Sequence, residues 1–263
     1  MQHWILPRGD AATATIDCAR AARLIAAVGD PEPPALARGL LDTVRDRVPV
    51  HHCTVFAYPD DRAPAMVSGA SADGSRCTVP AGDAYVRRFW REDGNRPIVS
   101  RGSRTAAAPV VVHRMRADEI GDPEYRHVCY GANGIGDRLA VLAPAGPRAW
   151  LGVNFYRDRA CGAFSVDETA AFKGLASLLA EAALRHRRLV SDRVSTADRL
   201  RAAQPALTER EVQVLALLAA GLTVDGAAAQ LGIKPTSAIT YRNRGYQRLG
   251  IHSRRELFAR LMT

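Results

Sequence analysis

Two alternating apolar runs, GDRLAVLAPAG (Gly136–Gly146) and AWLGVNFYRD (Ala149–Asp158), meet across the turn residues PAGPR. A period of two sends successive side chains to opposite faces of a sheet, and so short a connection joins only antiparallel neighbours. A parallel pair needs a crossover of a dozen or more residues, and no strand–helix–strand alternation is visible here. HHCTVFAY (His51–Tyr58), the turn PDDRAP and AMVSGAS (Ala65–Ser71) predict a second hairpin. Helices are expected at Ala11–Val28, at Ala35–Val48 with Leu36, Leu40, Val44 and Val48 on one stripe, and at Asp83–Glu92 with Asp83 near its cap. DPEYRHVCYGANG predicts a short helix closed by glycine, and Ser165–Ser191 is the longest helix, opened by a Ser165/Glu168 capping box. Its His186, Arg187 and Arg188 suit the negative end of the helix dipole. Asp93–Asp118 shows no readable pattern, and Ser100–Ala108 within it reads as a loop. The fold class expected is α+β. Residues 1–190 should form an antiparallel sheet flanked by helices. SDRVSTADRLRAAQPA (Ser191–Ala206), part of it with helical composition, connects the domains, with the linker placed at 191–204.

The 263 residues are 47% hydrophobic and 24% charged, the composition of a globular chain. The formal charge of +9 is uneven. Residues 201–263 hold nine Lys/Arg against four Asp/Glu, while the first 200 hold 27 against 23. More than half the excess therefore lies in a quarter of the length, which favours a polyanionic partner for that quarter. Five cysteines (Cys18, Cys53, Cys77, Cys129, Cys161) form an odd set without a CxxC pair. They point to a reducing compartment and buried thiols rather than disulfides or zinc. MQHWILPRGD has no long apolar core and no 18 apolar residues run together, so neither a signal peptide nor a membrane span is expected.

The basic quarter, 205–263, is ordered as four short helices. LTEREVQVLALLAAG (Leu207–Gly221) opens on a Thr208/Glu211 capping box. TVDGAAAQLG (Thr223–Gly232) carries Ala227 and Ala228, which permit close helix approach, and Gly232 supplies a turn. KPTSAITYRNRGYQRLG (Lys234–Gly250) follows with Pro235 in its first turn, and SRRELFARLM (Ser253–Met262) completes the set. A helix protruding from a small trihelical core fits the major groove while its predecessor braces it. On the third helix Ile239, Thr240 and Asn243 share a stripe that Arg242 and Arg244 flank. Lys234, Thr236, Ser237, Tyr241 and Arg248 complete the candidate DNA surface. Arginine and lysine neutralise phosphates, whereas Asn, Thr and apolar side chains can read base edges. Taken singly, each arginine also suits an ordinary solvated helix face.

This quarter resembles the LuxR-type (NarL/FixJ-type) helix-turn-helix of bacterial transcription regulators. The resemblance rests on Leu207, Thr208, Arg210, Glu211, Val214 and Leu215, then Gly221-Leu222-Thr223, Ala227-Ala228 and Leu231-Gly232-Ile233. Leu249-Gly250-Ile251, Ser253, Arg254, Glu256 and Leu257 close it. Departures are Ser237-Ala238 for a usual Thr-Val, Tyr241 for a usual His, Ile239 where a basic residue is often found, and Gly245 for a core aliphatic. The last is expected to cost packing and helix propensity. A subgroup of the family does show a TYRxRxYxRLG pattern like this one. The resemblance implies a cytoplasmic regulator that binds double-stranded DNA as a homodimer and meets RNA polymerase.

For residues 1–190, a phosphoacceptor receiver would need a parallel sheet and an acidic pair after its first strand, and neither is evident. The coarse topology is similar to an autoinducer-binding domain, although a Trp/Tyr pair followed by Asp-Pro is not found after Tyr58. It also loosely resembles a GAF/PAS-like sensory domain through VFAYPDD and DRLAVLAP…WLGVNFYRD before a long helix. Such a fold implies a pocket for a small-molecule effector, with Tyr58, Phe89, Trp90, Tyr125, Tyr130, Trp150 and Phe155 as candidate lining. Taken singly, each of these aromatics reads first as plain core; the alternative for the unit is a ligand-independent dimerisation or protein-interaction scaffold. Asp137 and Arg157 bracket the two central strands, as a candidate ion pair or as solvated groups.

Catalytic readings are weaker. Asp167 and Glu168 are explained by a helix N-terminus. His51 and His52 should alternate faces of a strand and so miss a common metal. His127 and Cys129, two apart, suit a base and nucleophile poorly. GANGIGD lacks the strand–helix context of a nucleotide loop. No catalytic residue, metal or cofactor is expected.

Overall fold

A computed structural model describes residues 2–7, 15–59, 62–100, 109–146, 148–192 and 196–262. The chain divides into two units, 1–190 and 191–263. The first contains β1 (Gln2–Leu6), α1 (Cys18–Ala27), α2 (Ala35–Val44), β2 (His52–Tyr58), β3 (Ala65–Ser71), α3 (Thr78–Ala84), α4 (Arg96–Val99), β4 (Val110–Arg116), α5 (Pro123–Tyr125), β5 (Ile135–Gly146), β6 (Ala149–Asp158) and α6 (Val166–Asp192). All six strands join one antiparallel sheet in the order β1-β4-β5-β6-β2-β3, with both expected hairpins present.

The sheet is covered on both faces. On one, Leu24 of α1, Leu36, Leu40 and Val44 of α2, and Phe172, Leu175 and Leu179 of α6 pack against Val55, Val112, Leu139, Val141 and Val153. On the other lies an aromatic layer that includes Phe56, Tyr85, Phe89, Trp90, Tyr125, Tyr130 and Trp150. The alternation of β6 decides the sorting. Trp150 belongs to the aromatic layer, while Phe155, five positions on, meets Phe172 on the aliphatic side with ring centroids 5.4 Å apart.

Several boundaries depart from expectation. β1 and β4 went unread, because five residues within MQHWILPRGD are too few for a period and VVVHRMR begins as an unbroken apolar run. The first helix starts at Cys18, where the Asp17 carboxylate accepts from Arg20 N (3.0 Å). The expected start at Ala11 lies outside the described residues, as does 101–108 of the expected loop. α2 ends at Val44, yet Val48 is still fully buried. Asp83 is not a cap. It lies inside α3, which begins five residues earlier and continues into a π turn over Tyr85–Phe89. The capping box at Ser165 is present, with Glu168 N donating to Ser165 Oγ (3.1 Å) and Ser165 N to Glu168 Oε2 (2.7 Å).

The second unit is helical throughout: α7 (Thr196–Ala203), α8 (Glu209–Ala219), α9 (Val224–Leu231), α10 (Pro235–Leu249) and α11 (Arg254–Met262). α7 is the helical part expected within the connecting segment, and its Leu200 is fully buried among Val212, Leu215, Leu218 and Leu257. Thr208 and Glu211 form the expected box (Thr208 N to Glu211 Oε2, 2.8 Å). Among the described residues, no helix is long and apolar enough to cross a membrane.

Candidate functional site

α9 ends at Gly232, whose φ of +63° is the left-handed conformation that lets the chain turn sharply into α10. Lys234 precedes α10 and Pro235 opens it, where the missing amide has no intrahelical partner to lose. Ala227 and Ala228 of α9 and Ala238 of α10 are all buried, small side chains that permit the two helices to approach closely. Gly245 does not cost packing. A Cβ there would stand 2.7 Å from Leu215 Cδ1, so its absence is what admits the leucine between α8 and α10.

The outward face of α10 carries Thr236, Ile239 (40% exposed), Thr240, Asn243 and Arg244, with Lys234 exposed at its start. Ser237 is half-buried. Thr240 Oγ1 donates to the Thr236 carbonyl (2.9 Å) and keeps its lone pairs as acceptors. Arg242 donates to Asn243 Oδ1 from Nε (3.1 Å) and Nη2 (2.9 Å), so the two side chains hold each other at the surface. Two expected members of this face are committed elsewhere. Tyr241 is half-buried against the helical core. Arg248 forms an ion pair with the buried Glu211 (2.9 Å) and also donates to the Ala206 carbonyl, which ties the end of α10 to the start of α8.

In the larger unit, Tyr58, Phe89, Trp90, Tyr125, Tyr130 and Trp150 are brought together, and each is at least 94% buried. They are packed. Phe89 stacks on Tyr125 at 5.3 Å and Tyr125 meets Tyr130 edge-on at 5.8 Å. A cavity of about 40 Å³ remains beside them between β2, β6, α3 and the π turn over Arg126–Tyr130. Of the expected lining, Tyr125 borders it, together with His52, Thr54, Cys77, Cys129 and Tyr156. Phe155 lies across the sheet and does not.

Sequence reasoning missed the polar centre of this layer. Arg138 donates to both oxygens of Asp93 (2.6 and 3.1 Å), with side chains 2% and 0% exposed. Tyr125 also donates to Asp93, and Asn95 receives Arg138 Nη2 (3.3 Å) and His113 Nδ1 (2.8 Å) on the same Oδ1. Asn95 Nδ2 donates onward to Asn154 Oδ1 (3.1 Å). Burial would raise the Asp93 carboxyl, but the Arg138 charge and its hydrogen bonds outweigh that and hold it below the ordinary value. Burial, helped by Arg138, pushes His113 down to about 3, so this ring is uncharged at neutral pH. Burial pushes Tyr58 up to about 12. The only sequence signal was parity: Arg138, Ala140 and Leu142 share one face of β5, so Arg138 had to lie under the aromatic layer.

Asp137 and Arg157 are register partners on β5 and β6, but each takes a different ion partner. Asp137 pairs with Arg114 (2.6 Å) and Arg157 with Glu168 (2.6 Å). His51 and His52 do not diverge as expected. His51 precedes β2, and both rings come within 4 Å of Asp158 Oδ1. Nor are the thiols all buried, since Cys18 and Cys161 are exposed and Cys77 is partly so. Among the described residues no group of three or more His, Cys, Asp and Glu is arranged to hold a metal.

Residues 205–261 match the family model for bacterial regulatory proteins of the luxR family. None of the curated proteins matches the chain. Of solved structures, the VqsR LBD domain from Pseudomonas aeruginosa is 14% identical and covers 65% of this chain and 96% of its own, with a TM-score of 0.48. Escherichia coli SdiA is 13% identical over 92% of this chain and 95% of that one, at 0.43. SdiA in complex with octanoyl-rac-glycerol is 12% identical over 92% and 93%, at 0.42. At such scores none of the three bears on what this chain binds. The family match and the exposed α10 face coincide: residues 205–261, which the luxR-family model matches, contain α8 to α11 with α10 and its outward face among them.

Proposed function

We propose that the chain is a homodimeric, cytoplasmic transcription regulator whose α10 enters the major groove, and whose larger unit holds two copies together without a dissociable small molecule. The observation that supports DNA reading is the single outward face shared by Thr236, Ile239, Thr240, Asn243 and Arg244. The ligand-free reading rests on volume. About 40 Å³ remains in the aromatic layer, whereas pockets for small molecules usually span roughly 300–1,000 Å³. A cleft of that size near the sheet, about 530 Å³ beside Pro33, Arg38, Ser71, Arg76 and Val79, lies outside that layer and is half open. Two copies on a palindrome multiply the discrimination of one small reading head. A dimer face is available where α1 meets α6. Ile25 is 73% and Leu178 41% exposed, beside a groove lined by Ala21, Leu24, Val28, Ala182 and Leu189.

The expected result is a dimer in sedimentation that shifts a promoter fragment from its own host. An Ile25→Glu/Leu178→Glu variant should sediment as a monomer and lose affinity for the paired site. Wild-type protein without affinity for any such fragment at low salt would refute DNA regulation. A wild-type monomer both free and on DNA would refute only the dimer.

Control by a small effector is a second reading, favoured by one observation. Trp150 Nε1 and Arg138 Nε are buried with no hydrogen-bond partner among the described residues. Such groups are costly to leave unmet, and a polar effector that opened the aromatic layer and reached them would satisfy them. Native mass spectrometry of protein taken from its own host, followed by DNA titration with and without any co-purifying molecule, separates the two readings.

A further inference from the structure

At one end of β2, three side chains that the DNA-binding role does not use converge. Cys77 Sγ lies 3.6 Å from His52 Nδ1, and His52 Nε2 lies 3.6 Å from Asp158 Oδ1. The topology explains the meeting. His52 opens β2, Asp158 closes the adjacent β6, and Cys77 immediately precedes α3, which packs over this end of the sheet. Two hydroxyls complete the surroundings of the sulfur: Ser71 Oγ at 3.3 Å and Ser75 Oγ, which donates to it, at 3.4 Å. Asp158 Oδ1 is buried and has no hydrogen-bond partner among the described residues, so the imidazoles are what it faces. Asp158 lies at ion-pair rather than hydrogen-bond distance from Nε2 and favours the proton on that nitrogen, which leaves Nδ1 as an acceptor. It is shared between the Ser71 hydroxyl (3.0 Å) and the Cys77 thiol. The ordering of thiol, imidazole and carboxylate is that of an activated nucleophile.

We propose that Cys77 is a peroxide-reactive thiol, activated by His52 and Asp158, and that its sulfenic acid is a modified state of this regulator. The adjoining cavity of about 40 Å³, lined by Cys77 and His52, sets the size of the reagent. That space suits a few water-sized molecules at most, so hydrogen peroxide or a very small hydroperoxide fits, whereas a bulky electrophile does not. In the reaction His52 Nδ1 takes the thiol proton as the sulfur attacks one peroxide oxygen. The S–O bond forms and the O–O bond breaks. The leaving hydroxide then takes the proton from the imidazolium and departs as water. Sulfur is oxidised by two electrons to Cys–SOH, and the peroxide is reduced. Ser71 and Ser75 can donate to the negative charge that develops on sulfur. Burial, the largest influence, holds His52 below its ordinary value against the opposing pull of Asp158, so at neutral pH the ring is uncharged and can act as a base.

The exposed Cys18 provides an internal reference in the same molecule. The full chain, reduced and then treated with limiting hydrogen peroxide in the presence of dimedone, should carry the adduct on Cys77 well before Cys18 in a digest read by mass spectrometry. His52→Gln should slow Cys77 labelling on the order of 100-fold, as for loss of a general base, and leave Cys18 unchanged. Asp158→Asn, at a half-exposed position where folding is least at risk, should slow Cys77 in the same sense by a smaller factor. Retained near-ultraviolet circular dichroism would show that each variant is folded. Should His52→Gln fail to fold, Asp158→Asn alone decides. Equal labelling of Cys77 and Cys18, or a folded variant that labels Cys77 at the wild-type rate, would overturn the proposal.

Discussion

Asp93→Ala will cost the larger unit about 3–5 kcal/mol of unfolding free energy, the usual penalty for leaving one member of a buried ion pair without its partner. Arg138 has nowhere to go: its side chain is 2% exposed, and the Asp93 oxygens are its two closest acceptors. The Tyr125 hydroxyl loses its acceptor in the same substitution. All three tryptophans, Trp4, Trp90 and Trp150, lie in this unit, so urea unfolding followed by tryptophan fluorescence reports it without interference from the helical unit. Asp93→Ala combined with Arg138→Met should cost clearly less than Asp93→Ala alone, because it removes the stranded charge. A single-variant loss below about 1 kcal/mol would mean that water reaches Arg138, and the closed layer described above would be wrong.

The same centre makes the unit sensitive to acid, and the sign follows from the two depressed groups. His113 titrates near 3 when folded and near its ordinary value of 6.5 when unfolded. Its contribution is therefore complete above about 6.5 and is lost as the pH falls toward 3, since only the unfolded chain binds that proton. Asp93, also depressed, adds its loss lower still, below the ordinary carboxylate range. Stability should therefore fall continuously from near neutral pH into the acid range. His113→Gln should make the upper part of that decline shallower and leave the lower part unchanged. The rest of the upper part comes from His52 and His186, whose burial also holds them below the ordinary value.

What the sequence shows of this protein follows the reach of local rules. The hairpins, the long helix and both capping boxes were legible because strand parity and cap chemistry act over a few residues. β1 was not, because its existence depends on pairing with Val110–Arg116 more than a hundred residues away. The candidate lining was read from residue type rather than parity. Trp150 and Phe155 share a residue type but stand at an odd spacing on one strand, which puts the thickness of the sheet between them. Asp93 and Arg138, 45 positions apart, carry no mutual local signal. Nor do Cys77, His52 and Asp158, which meet only because β6 runs beside β2. Gly245 looked like a packing defect in one helix and becomes an accommodation once Leu215 of another helix is in view.

On α10 the arginines should separate into two kinds. Arg242→Ala and Arg244→Ala leave no buried partner behind, so they should barely move the stability of the helical unit. If each guanidinium meets a phosphate, each should lower the slope of log affinity against log salt by about one, and the double variant by about two. The loss should be similar on a specific fragment and on an unrelated one, since phosphate contacts carry no sequence. Arg248→Ala should do the opposite. It strands the carboxylate of Glu211, which is 1% exposed, and releases the tie to the Ala206 carbonyl. An unmet buried acceptor costs about 1–3 kcal/mol, and the lower part of that range applies because Arg248 is itself 39% exposed and its pairing is partly screened. Glu211 keeps its bond from Thr208 N, so the helix start should survive. The salt slope of Arg248→Ala should then match wild type, with thermal unfolding of the helical unit shifted downward. A salt slope reduced by Arg248→Ala and untouched by Arg244→Ala would show that DNA pulls Arg248 away from Glu211, and that the outward stripe of α10 has been read one turn too early.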